Sequence, residues 1–99
     1  MILVLGTVRL APGNLEITMP AIEKMVAASR AEDGCIAYSY AQDVLDPHVI
    51  HVVEKWRDRA ALAAHFAMPH LAEWRAAWGE IGVSDRQLRL FETDEGEAL

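Results

Sequence analysis

The run ILVLGTVRL, residues 2 to 10, constrains the fold more than any other stretch. It is rich in aliphatic and β-branched residues and ends at Pro12-Gly13, so it predicts a strand followed by a turn. Side chains alternate across an extended chain. Ile2, Val4 and Val8 then share one face, and Leu3 and Leu5 share the other. A strand that is apolar on both sides must be covered on both sides. A chain of 99 residues makes one domain with a modest core. Helices can cover one sheet face; a second copy packing sheet to sheet is the economical cover for the other.

Leu15, Met19, Ile22, Val26 and Ser29 follow helical spacing, with Asn14 as a candidate N-cap. Pro20 lies inside that pattern and predicts a kink or an end to the first turn. Glu32-Asp33-Gly34 reads as the stop. CIAYSYAQDV and HVIHVVEKW read as two strands joined through Leu45-Asp46-Pro47, an antiparallel hairpin. Asp58 can cap a short helix running to Phe66, and Pro69 suits the first position of another, closed by Gly79 and Gly82. VSDRQLRLFETD reads as a final strand. Strand, helix, two strands, helices, strand is the order of an α+β, ferredoxin-like split βαβ sandwich. Residues 1–94 form this one domain, and residues 95–99 continue an acidic, solvated tail.

The formal charge of −6 and a pI near 5.0 argue against nucleic acid and anionic membranes as partners. The first strand is too short to span a bilayer and lacks the basic flank of a signal peptide. With a single cysteine, Cys35, no disulfide forms within the chain, and a cytoplasmic location is expected. No GxGxxG or phosphate loop is present, so neither a nucleotide nor a flavin cofactor is expected through those motifs. His48 and His51 point to opposite faces of a strand, His65 and His70 straddle a helix break, and there is no HExxH, so no metal is expected.

The segment EKWRDRAALAAHFAMPH, residues 54 to 70, is where chemistry concentrates. Alternation puts Glu54 on one strand face with Ile50, Val52 and Trp56. A carboxylate among apolar groups needs a partner, or its pKa rises. It serves either as an ion pair that fixes the sheet or as a tuned base. His65 shares a helix face with Leu62 and Phe66 and looks inward, either as a satisfied core residue or as a proton carrier near neutral pH. His70 opens the next helix. Leu71, Trp74, Arg75 and Trp78 follow i, i+3, i+4, i+7, and Arg75 is the charged member. Its stem can lie along the core with the guanidinium in solvent, or it can clamp an anion. Trp56 and Trp74 can wall an aromatic slot beside His65, or simply fill core.

With APG after the first strand, EDGCIAY opening the second, DP in the hairpin and EKWRDRAALAAHFAMPH, the chain resembles the antibiotic biosynthesis monooxygenase domain family, quinol monooxygenases included. The resemblance runs over nearly the whole chain. It implies a ferredoxin-like fold that pairs into a dimeric α/β barrel, with a pocket between sheet and helices in each subunit. It also implies a cofactor-independent monooxygenase acting on a small aromatic, quinol-like substrate with molecular oxygen. His65 and Glu54 would be catalytic, and Trp56, Arg75, His70 and Trp74 would bind substrate. Val52 stands where some members carry a pocket asparagine. Gly6 and Arg75 stand where haem-degrading relatives carry asparagine and histidine. Other relatives isomerise small phosphorylated sugars, so an isomerase in the same pocket and a non-catalytic dimeric binding module are alternatives.

Overall fold

The computed structural model describes all 99 residues. The elements are β1 (Ile2–Leu10), α1 (Leu15–Arg30), β2 (Cys35–Gln42), β3 (Val49–Trp56), α2 (Arg59–Phe66), α3 (Pro69–Ile81) and β4 (Val83–Glu92). One antiparallel sheet has the order β2-β3-β1-β4. β1 and β3 are therefore central, and two strand–helix–strand units interleave as in the ferredoxin-like α+β fold.

The strands turn one alternating set of residues toward the helices. Ile2, Val4, Val8 and Leu10 of β1 are buried with Ile50, Val52 and Trp56 of β3. Ile22, Met25 and Val26 of α1, Leu62 of α2, and Leu71 and Trp74 of α3 pack onto them. The other sheet face carries the second set. There Leu5 pairs with Val53, and Leu3 pairs with Phe91. Leu5 remains 38% exposed and Phe91 46% exposed.

Several local expectations change. α1 runs through Pro20 as one helix, because Pro20 and Glu16, whose carbonyl loses that donor, both face solvent. Asn14 stands at the N-cap but its side chain does not cap; its amide donates to the carbonyl of Ile81 at 3.0 Å, tying the start of α1 to the end of α3. Gly79 lies within α3, and Gly82, left-handed at φ 74°, ends it.

Gly6 sits where β1 and β4 approach most closely. A methyl group there would lie 1.8 Å from the Gln87 carbonyl oxygen. Gly6→Ala must push the two strands apart, at a cost on the order of 3 kcal/mol. The expected result is a thermal midpoint lower by roughly 10 °C or more. A melt no lower than wild type would contradict this.

Candidate functional site

Three separate elements converge behind the sheet. Asp58 caps α2, accepting from the Ala61 N–H at 2.8 Å. The helix then carries His65 inward, where it is 1% exposed. Pro69 opens α3 at its first position, and His70 follows. Both imidazoles reach the turn between α1 and β2. His65 Nδ1 lies 2.6 Å from Glu32 Oε2, and His70 Nε2 lies 2.8 Å from the same oxygen. With Glu32 as a carboxylate, which only accepts, both ring nitrogens donate. Gly34 lets the turn come this close. Its φ is 82°, and a Cβ there would meet Ala61 of α2 at 2.6 Å.

His65 also lines a narrow cleft between the sheet and α3. Its Nδ1 belongs to Glu32, so Nε2 is the nitrogen left for a guest. The cleft holds about 10 Å³ as folded, room for roughly one water. Tyr38, Tyr40 and Glu54 form the sheet side, and Phe66, Trp74 and Trp78 the helix side. The indole N–H groups of Trp74 and Trp78 are buried without a well-formed hydrogen bond, Trp74 interacting only weakly with the Tyr40 hydroxyl. Arg75 lies over the Phe66 ring at 5.5 Å, and Arg86 lies over the Trp78 ring at 5.7 Å. Both guanidinium groups line the cleft. A larger hollow of about 410 Å³ beside Leu10, Met19 and His48 contains no buried charged side chain.

The predicted residues divide. His65, Glu54, Trp74 and Arg75 meet at the cleft. Trp56 does not line it: the residue is fully buried, its indole stacks 4.6 Å from His65, and Nε1 donates to Glu54 Oε1 at 3.0 Å. Trp56 thus backs the site, and the aromatic walls are Tyr40, Trp74 and Trp78 instead. His70 is also outside the cleft; it faces Glu32 and a hollow of about 80 Å³ between α1 and α3. Glu54 makes no ion pair with Arg75, because its hydrogen bond comes from Trp56 and Arg75 is spread on Phe66. The expectation that His65 and His70 are separated by the helix break fails, since Glu32 gathers both. Sequence reading took Glu32 for a stop signal. The available clue was two histidines five residues apart in consecutive helices, His65 inward, with no partner assigned to either.

Burial raises the Glu54 carboxyl above its ordinary value; the Trp56 hydrogen bond and the charges of His65 and Arg86 only partly oppose it. Burial also raises the phenols of Tyr38 and Tyr40, so they remain neutral hydrogen-bonding groups. The Cys35 thiol is raised by burial and by the nearby charges of Glu32 and Glu54, which removes thiolate character.

The model of the antibiotic biosynthesis monooxygenase family matches residues 1–77. The chain belongs to that family. It is 28% identical over 98 residues to the Synechocystis protein sll1783, covering 99% of this chain and 67% of that one. It is 35% identical over 60 residues to a Mycobacterium tuberculosis protein named "Putative monooxygenase Rv0793", covering 61% of this chain and 58% of that one. A crystal structure from Deinococcus radiodurans superposes with a TM-score of 0.90 at 23% identity, over 100% of this chain and 98% of the other, which establishes the shared fold. Family and relatives together support a monooxygenase-type function on a small molecule. No helix is long and apolar enough to cross a membrane.

Glu54 gives a stability prediction with a definite sign. A carboxyl whose pKa is raised on folding favours the folded state most when protonated, below its ordinary 4.5. That advantage is lost as pH rises through the folded value. Glu54→Gln keeps an acceptor for Trp56 and removes the buried charge. The variant should melt a few degrees above wild type at neutral pH, with the difference closing as the pH falls toward about 4. Thermal melts across that range check it; a constant or reversed difference would refute it.

Proposed function

We propose that this chain oxidises a small, electron-rich, quinol-like aromatic with molecular oxygen, without a redox cofactor of its own. The observation that carries the reading is His65. The buried carboxylate of Glu32, 2.6 Å from Nδ1, fixes the ring, and the opposite nitrogen is left for the aromatic cleft. Nε2 takes the phenolic proton of the substrate. The substrate oxygens accept from the indole N–H groups of Trp74 and Trp78, and Arg75 stabilises the phenolate. Glu54, close to His65 and raised in pKa by burial, can hold the proton on its way out.

The electron-rich anion then gives an electron to oxygen, and radical recombination forms a carbon–oxygen bond. One oxygen atom stays on the product and the other leaves as water. The substrate supplies all four electrons. The cleft is too small for an aromatic ring as folded, so a guest must displace Arg75 from Phe66 and Arg86 from Trp78. Both arginines are exposed and free to swing.

Oxygen uptake by metal-stripped protein on a panel of hydroquinones tests the reaction. Uptake no faster than the protein-free control rejects it. His65→Gln keeps an N–H for Glu32 but has no basic nitrogen. It should lose on the order of 100-fold or more in turnover while retaining substrate affinity. A second reading, an isomerase for a small phosphorylated carbonyl compound, draws on the two guanidinium groups at the cleft. Ligand binding by the wild type with no turnover of either substrate class, unchanged in His65→Gln, would leave a ligand-binding module.

The same reading includes a homodimer that covers the second sheet face. Leu3, Leu5, Val53 and Phe91 form an apolar strip there across β3, β1 and β4. Light scattering after gel filtration should give twice the chain mass for wild type and the single-chain mass for Leu5→Lys. A wild-type monomer at micromolar concentration would overturn this part.

A further inference from the structure

We infer that Glu32, His65 and His70 form a site for one divalent first-row transition-metal ion, lying behind the cleft. The ligand atoms of all three lie within 4.8 Å of one another. They arrive from three different elements, and their side chains are only 5%, 1% and 17% exposed. Such convergence of one carboxylate and two imidazoles in a dry interior is a transition-metal donor set. Magnesium and calcium prefer oxygen alone.

A second observation points the same way. Glu32 Oε1 is buried and has no hydrogen-bond partner. A buried carboxylate oxygen left bare is costly. No lysine or arginine pairs with Glu32, and the two histidines share its other oxygen. A cation between the three side chains would supply the missing charge. His70 also borders the hollow of about 80 Å³ with Lys24, Met25 and Glu73, which gives an ion a way in and space for water ligands.

The metal-free geometry is that of hydrogen bonds, at 2.6 and 2.8 Å. Donor atoms around a four-coordinate zinc ion at about 2.0–2.1 Å lie roughly 3.3 Å apart. Loading therefore opens the His65 contact by about 0.7 Å and the His70 contact by about 0.5 Å, within the reach of small side-chain rotations. It also moves protons. Nδ1 of His65 and Nε2 of His70 must give up their N–H to bind the metal, and each ring stays neutral by taking a proton on its other nitrogen. His65 then presents Nε2–H, a donor, to the cleft in place of a lone pair. Metal occupancy switches off the base. That consequence rests on the proposed reaction, whereas the binding does not.

Zinc is the probe. Metal-stripped protein is dialysed against buffered Zn²⁺, and bound metal is counted by elemental analysis. The wild type is expected to hold one zinc per chain. His70→Gln and Glu32→Gln, checked for folding by thermal melts, should bind at least tenfold more weakly. His51→Ala, a surface histidine paired with Asp43, should bind as wild type does. Nitrogen-15 spectra of the imidazoles should show His65 passing from the Nδ1–H to the Nε2–H tautomer on loading. No stoichiometric zinc overturns the proposal. Zinc uptake insensitive to His70→Gln, or an unchanged His65 tautomer, overturns it equally. Zinc bound as described, with no oxygen uptake by the metal-stripped protein on any quinol, refutes the reaction and leaves the site standing.

Discussion

One carboxylate oxygen, Oε2 of Glu32, holds together the part of the molecule where chemistry is possible. It takes hydrogen bonds from α2 and α3 at once and ties both to the α1–β2 turn. The contact also decides the state of His65. A ring whose Nδ1–H is committed to a buried carboxylate has a defined tautomer and a fixed plane. Orientation of the helices and preparation of the imidazole are therefore the same event.

The cleft beside it is polarised by burial rather than by ion pairs. Glu54 is raised in pKa, two tyrosine hydroxyls are kept neutral, and two indole N–H groups make no well-formed hydrogen bond. Unpaired buried donors reduce stability, because they have left water without recompense. They persist here on α3, where Arg75 of the same helix and Arg86 of β4 lie over aromatic rings. In the proposed reaction an oxygen-bearing aromatic would fill that deficit, its ring replacing the guanidinium groups on the aromatic faces and its oxygens meeting the indoles.

Much of this architecture was legible in the residues. The two apolar faces of β1, the alternation along β3 and the DP turn were enough for the sheet, and Leu62 and His65 placed the inward face of α2, although Phe66, read with them, is 47% exposed because it sits at the last turn beside Arg75. Asp58 and Pro69 marked helix starts because their chemistry is local. What failed was what depends on distant partners. Pro20 looked like a breaker, but its lost bond faces water. Trp56 looked like a wall, but the strand carries its indole past the cleft to Glu54. Glu32 looked like punctuation, since nothing in EDG says that two helices will close over it. Local signals survive translation from sequence to structure; contacts across 33 and 38 residues do not.

The close approach of β1 and β4 at Gly6 reaches beyond stability. On its strand Gly6 alternates with Val4 and Val8, so a side chain there would have belonged to the interior that α1 and α3 cover. The backbone oxygen of Gln87 already occupies that position. Any lineage descending from this chain would have to shift an edge strand before it could place a side chain at this position of β1. New activities are more cheaply reached through β3 and the two short helices, so the scaffold itself channels where its chemistry can diversify.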